Sequence, residues 1–177
     1  MMAAISPVPQ ANKRHPQSPD PGGAIPQTFR TGVGALIVNR AGLVLLMERR
    51  DRPGSWQMAQ GGLDPGETPE EGVLREVAEE TGIKATDLKQ IAAVDRLLAY
   101  ELPAQLRNKK TGRGQVQYWF IFRFTGNDDL ITLGDGQEFV RWAWVSMAEA
   151  LARVVDFKKP VYRELAEYYR REVGQSA

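Results

Sequence analysis

The sequence predicts a mixed α/β sandwich folded as one unit, and three observations carry that prediction. At 177 residues the chain is about one domain long and large enough to bury a core. Its apolar runs are short and rich in branched and aromatic side chains. Helix signals fall between and after those runs, without an internal repeat.

Residues 1–29 hold six of the eleven prolines and almost no apolar periodicity. Residues 1–28 therefore read as a disordered leader or partly ordered arm, and the domain as 29–177. "TGVGALIVN" and "GLVLLME" form a hairpin about a polar turn at Arg40 and Ala41. "DRPGSWQMAQGG" places loops around a short extended piece, with Pro53, Gly54, Gly61 and Gly62 as punctuation. An acidic helix follows, then a strand over Ile91–Ala99, a polar loop "LRNKKTGRGQ", and the strands "YWFIFRF" and "EFVRWAWV". Ser146 with Glu149 makes a capping box for a short helix, and Pro160 suits the first turn of a last one.

Composition removes several chemistries. With 23 basic and 22 acidic residues, no global field draws the protein to nucleic acid or a membrane, so a polyanion must be met locally. The absence of cysteine excludes disulfides, thiolate nucleophiles and cysteine zinc sites, and it favours the cytoplasm. The single histidine, His15, sits in the proline-rich segment, so the acid and base must be carboxylate, lysine or tyrosine. No apolar run reaches the roughly 18 residues of a membrane span. Residues 1–19 carry basic residues and no acid, which leaves organellar import open.

"GGLDPGETPEEGVLREVAEETGI" sets Asp64, Glu67, Glu70, Glu71, Glu76, Glu79 and Glu80 against one basic residue, Arg75. Thr68, Pro69 and Glu71 open a helix and Gly82 stops it, giving a span from Pro69 to Thr81. At roughly 100° per residue, Leu74, Val77 and Ala78 share one side while Glu76, Glu79 and Glu80 cluster on another. Arg75 reaches Glu79, but within the helix Glu76 and Glu80 have no lysine or arginine one turn away. A face built for solubility interleaves opposite charges. Carboxylates gathered on one patch instead suit a hard divalent cation such as magnesium.

The spacing here is glycine, five residues, glutamate, seven residues, then Arg-Glu-apolar-x-Glu-Glu-x-Gly-apolar. Gly61, Glu67, Arg75, Glu76, Val77, Glu79, Glu80, Gly82 and Ile83 occupy it without exception. The chain thus resembles the Nudix hydrolases. The resemblance implies an α/β/α sandwich with a mixed sheet, a loop-helix-loop metal site, and hydrolysis of nucleoside diphosphates linked to another moiety. Magnesium is the implied cofactor, with manganese as a substitute. Glu76 and Glu80 would be direct ligands, Glu79 a further ligand or the base, and Gly61 a backbone-carbonyl ligand. Glu67 and Arg75 would hold the loops in shape.

"RRDRPGSWQMAQGG", "YELP", "GQVQYWF", "EFVRWAWV" and "VVDFKKPVYRE" extend the likeness over roughly residues 29–172. They resemble the bacterial branch that hydrolyses dinucleoside polyphosphates and removes pyrophosphate from triphosphorylated RNA 5′ ends. By that resemblance Glu138 is an additional metal ligand or alternative base. Arg49 or Arg50, Gln115 and Lys158 are phosphate contacts, and Tyr100 and Phe157 stack on or line the base pocket. Met58 and Ala59 depart from the aromatic and proline usual in that branch, and Val116 stands where a lysine is common.

The leading expectation is a pyrophosphohydrolase acting on dinucleoside polyphosphates, RNA 5′ ends, or both, as monomer or homodimer. ADP-ribose or nucleoside diphosphate sugar cleavage is the alternative. A non-catalytic nucleotide sensor and an RNA-binding module rank below it.

Overall fold

A computed structural model describes residues 27–134 and 137–174 of the chain. The leader expected over residues 1–28 lies, up to residue 26 and with His15, outside the described residues. The strands are β1 (Phe29–Val38), β2 (Val44–Arg49), β3 (Trp56–Gln57), β4 (Ala59–Gly62), β5 (Leu88–Ala93), β6 (Leu98–Glu101), β7 (Gly114–Phe124) and β8 (Phe139–Val145). The helices are α1 (Pro69–Thr81), α2 (Met147–Arg153) and α3 (Lys159–Glu172).

β1 is the spine. It runs parallel to β7 along its whole length, from Phe29 opposite Gly114 to Val38 opposite Arg123, and antiparallel to β4 from Gly32 to Ala35. β5 and β6 pair antiparallel with β7, while β2 pairs antiparallel with β3 and β8. The hairpin read from the sequence closes through the Asn39 side chain, which accepts from the Ala41 and Leu43 amides. It then opens at once, because only Val38 and Val44 face each other before β2 turns away to β8.

Alternation along the strands divides the core. Val33, Ala35 and Ile37 of β1 join Phe120, Phe122 and Phe124 of β7 beneath Val73 and Val77 of α1. Leu36, Val38, Trp119 and Ile121 point the other way, against Ala150 of α2 and Tyr162 and Leu165 of α3. A sheet covered on both faces explains why β1 and β2 read as nearly unbroken apolar runs. The result is an α/β/α sandwich.

α1 spans the predicted residues. Thr68 Oγ1 accepts from the Glu71 amide, the Glu71 carboxylate accepts from the Thr68 amide, and Gly82 adopts the left-handed conformation at φ 78°. Thr68→Ala is expected to cost about 1 kcal/mol in urea unfolding, as loss of an N-cap does. The buried face of α1 differs from the helical-wheel reading: Val73, Val77, Glu80 and Thr81 are buried, and Ala78 is exposed. The strand expected over Ile91–Ala99 is two strands. Between them Asp95 turns out to accept a hydrogen bond from the Tyr168 hydroxyl of α3, and β6 resumes against the start of β7. Ser146 caps α2 by accepting from the Glu149 amide, while the Glu149 carboxylate pairs with Arg153. No helix among the described residues is long and apolar enough to cross a membrane.

Candidate active site

The short strip from Trp56 to Gly62 reaches most of the groups singled out by the sequence. Gln57 Oε1 accepts from Lys158 Nζ at 2.8 Å, and the Met58 amide donates to Tyr162 Oη at 2.7 Å. The Gln60 amide donates to Glu80 Oε2 at 3.0 Å. Gly61 lies against the Glu76 carboxylate so closely that a Cβ there would collide with it. Gly62 O accepts from Arg75 Nη2 at 2.9 Å. Strand pairing with β1 fixes the second half of this strip, so its contacts with α1 are set by the sheet.

Two adjoining hollows meet at the acidic side chains. A cleft of about 330 Å³ is lined by the acidic Glu76, Glu80 and Glu138 and by the basic Arg49, Arg52 and Lys158. Tyr100 and Phe157 also line it, their ring centroids 5.7 Å apart. Glu76, Glu79, Glu80 and Glu138 together line a second depression of about 520 Å³.

The electrostatics are uneven. Burial raises the Glu80 carboxyl well above its ordinary range, and Glu138 and Glu76 push it further, against the Gln60 amide and Lys158, which lower it. Burial also raises Glu76, opposed by its bond to Arg75. Lys158 is pushed down to about 7, chiefly by burial and then by Arg49. Burial lifts the Tyr100 hydroxyl to about 12. The Arg49 guanidinium is shared between Asp51 and Glu138, each bonded at 2.7 Å.

Among the described residues, no three acidic side chains stand together in a ready ligand cluster. Glu76 is turned to Arg75 Nη1 at 2.9 Å and Glu138 to Arg49. The donors nevertheless fit a hard divalent ion. They are all oxygen, Glu80 is a buried carboxyl whose charge is incompletely compensated, and Gly61 leaves bare backbone beside Glu76.

Several expectations change. The expected cluster of Glu76, Glu79 and Glu80 is unevenly presented: Glu80 is 7% exposed, whereas Glu79 is 59% exposed in its side chain. Of the two adjacent arginines, Arg49 lines the cleft, while Arg50 borders a shallow surface hollow with Asp51 and Gln137. Gln115 is not in a loop but in β7, where its Oε1 accepts from Tyr100 Oη at 2.8 Å. Lys158 lines the cleft and is buried, while Lys159 pairs with Asp156.

Sequence reasoning missed Gln57, Gln60, Arg30 and Arg52 at the cleft. Arg30 comes to the cleft only through the parallel register of β1 and β7, which sets it opposite Gln115. Nothing local marks the two glutamines, since their partners lie 101 and 20 residues away.

Helix-borne carboxylates that share one groove of an α/β/α sandwich with arginines and a buried lysine define a class of fold and site suited to a polyanion and its counter-cation. The chain belongs to the Nudix family, whose NUDIX domain matches residues 28–165. An RNA pyrophosphohydrolase of Cereibacter sphaeroides is 42% identical over 147 residues, covering 80% of this chain and 91% of that protein. Among solved structures, the E. coli dihydroneopterin triphosphate pyrophosphohydrolase superposes with a TM-score of 0.65 at 23% identity, covering 77% of this chain and 95% of that one. A C. elegans Ap4A hydrolase gives 0.62 at 21% identity, covering 79% and 97%.

Proposed function

We propose that the protein is a divalent-cation-dependent pyrophosphohydrolase that cleaves phosphoanhydride bonds in 5′-triphosphorylated RNA ends and dinucleoside polyphosphates, working in the cytoplasm. One observation carries this reading: Glu76, Glu80 and Glu138 line a single cleft together with Arg49 and Lys158, and a Tyr100–Phe157 ring pair lines it too. The relative named RNA pyrophosphohydrolase, aligned over 91% of its own length, supports the RNA substrate.

In this reading Glu76 and Glu80 hold magnesium, or manganese in its place, with Gly61 O, Glu79 and Glu138 as further donors. Such an ion neutralises phosphate charge and lowers the pKa of water. Arg49 and Lys158 bind the phosphate oxygens that carry charge away from the bond being broken. Glu79 or Glu138, the two exposed carboxylates, takes the proton from the attacking water at Oε. Phe157 stacks on or lines the pocket of the terminal base, and the buried Tyr100 ring packs against it as part of that lining. Glu67 and Arg75 keep the loop and helix in register.

Turnover of triphosphorylated RNA, diadenosine tetraphosphate and ADP-ribose at matched concentrations with magnesium tests the proposal. RNA and the dinucleotide are expected to be cleaved in preference to ADP-ribose. Preferential cleavage of ADP-ribose would defeat this choice of substrates.

A further inference from the structure

Lys158 sits where a lysine is costly. It is 7% exposed, on the turn Asp156–Lys158 that joins α2 to α3, and its Nζ lies 5.4 Å from the Tyr100 ring centroid. The charged groups that act on it come from four places: Arg49 at the end of β2, Arg52 in the following loop, Glu80 on α1, and Glu138 before β8. The arginines oppose its charge and the glutamates favour it. Its one side-chain hydrogen bond described here goes to neither acid but to the amide oxygen of Gln57, itself 4% exposed. An ammonium has three donors and no acceptor, and without a fixed acceptor it would swing toward Glu80 or Glu138.

We infer that Gln57 is a positioning residue that holds the Lys158 ammonium at the cleft wall, away from Glu80 and Glu138 and free to meet a phosphate. Its own anchors suit that task. β3 pairs with β2 at Met47–Gln57 and Glu48–Trp56, and the next amide, Met58 N, is bound by Tyr162 of α3. The same α3 begins one residue after Lys158. Gln57 and Lys158 are therefore carried by two elements already locked together, so the bond between them has little freedom to give. A neutral amide is the acceptor this place requires. A carboxylate would neutralise the lysine, and an apolar side chain would leave it without an anchor.

The phosphate role of Lys158 rests on the function proposed above; the tether does not, and the two are read separately. In the full-length protein, trace acetic anhydride acylates amines in their neutral form, so labelling of Lys158 relative to Lys159, read by peptide mass spectrometry at pH 7.5, reports how firmly the ammonium is held. In Gln57→Leu the relative labelling is expected to rise by about 5-fold or more, because an acceptor that favours the charged form is gone. In Gln57→Glu it is expected to fall. For catalysis, Gln57→Leu is expected to raise KM for triphosphorylated RNA by about 10-fold while kcat changes by less than about 3-fold, the pattern of lost uniform binding.

Relative labelling unchanged in both folded variants overturns the tether. Should Gln57→Leu fail to fold, Gln57→Glu alone decides, since it keeps size and shape: labelling that does not fall overturns the inference. Labelling that shifts as expected with KM unchanged upholds the tether and instead removes Lys158 from the phosphate contacts.

Discussion

Glu80→Gln is expected to lower turnover of triphosphorylated RNA by well over the roughly 10–100-fold that follows loss of an outer-shell partner, because Glu80 is proposed to hold the cation directly. The same variant is expected to melt no lower than the parent. The amide has nearly the shape of the carboxylate, and its oxygen can still accept from the Gln60 amide that now donates to Glu80 Oε2 at 3.0 Å. What the substitution removes is a buried charge beside Glu138 and Glu76. This is the trade expected where a site stores unfavourable electrostatics for use with a ligand.

The sign of the pH effect follows from the direction of the shift. The Glu80 carboxyl lies well above its ordinary value of 4.5 in the folded protein. Its contribution to stability is therefore complete below the unfolded-state value and is lost as pH rises through the raised folded value. Glu80→Gln has no such loss. In chelator, the melting temperature of the variant minus that of the parent is expected to grow as pH rises from about 4.5 toward 8. Added magnesium should raise the parent more than the variant, by mass action on the folded state, and shrink the gap. Turnover near the parental rate would remove Glu80 from the site, whatever the melting curves show.

How much of this was legible in the sequence depends on the range of the interactions concerned. The ends of α1 were readable because its cap, its first-turn proline and its stop at Gly82 are local. The alternation in β1 and β7 was readable as strand but not as a two-faced spine, since a run buried on both sides hides its period. Glu80 illustrates where local reasoning ends. The helical wheel grouped it with Glu76 and Glu79, and only the packing of β4 over α1 shows that it is buried while Glu79 is not. Lys158 is similar, because "KK" before a helix looks like solvated charge until β3 is folded against it. At the break between β5 and β6, Asp95 accepts from Tyr168 across 73 residues, a contact no local pattern announces.

Arg75→Met is the second large effect, and it separates shape from chemistry. The guanidinium is a hub: Nε donates to Glu67 Oε1 at 2.8 Å, Nη2 to Glu67 Oε2 and Gly62 O at 2.9 Å each, and Nη1 to Glu76 Oε1 at 2.9 Å and Glu79 Oε2 at 3.2 Å. The fork on Glu67 is bidentate, with side chains only 27% and 15% exposed, so it is not an ordinary surface pair. Methionine can replace the apolar stem but supplies no donor. Glu67 would keep only the Asp64 amide, Gly62 O would lose its side-chain donor, and Glu76 would lose the group that now holds it beside Gly61. The expected outcome is a lower urea midpoint with an unchanged m-value, and a fall in kcat of about 10–100-fold, the scale of losing an outer-shell partner. Arg75→Lys is expected to recover part of the stability but little of kcat, because one ammonium cannot span Glu67, Gly62 and Glu76 together. If lysine restored both, charge alone would suffice and the fork geometry would have no role. If methionine left both unchanged, the five bonds would amount to no more than a solvated ion pair.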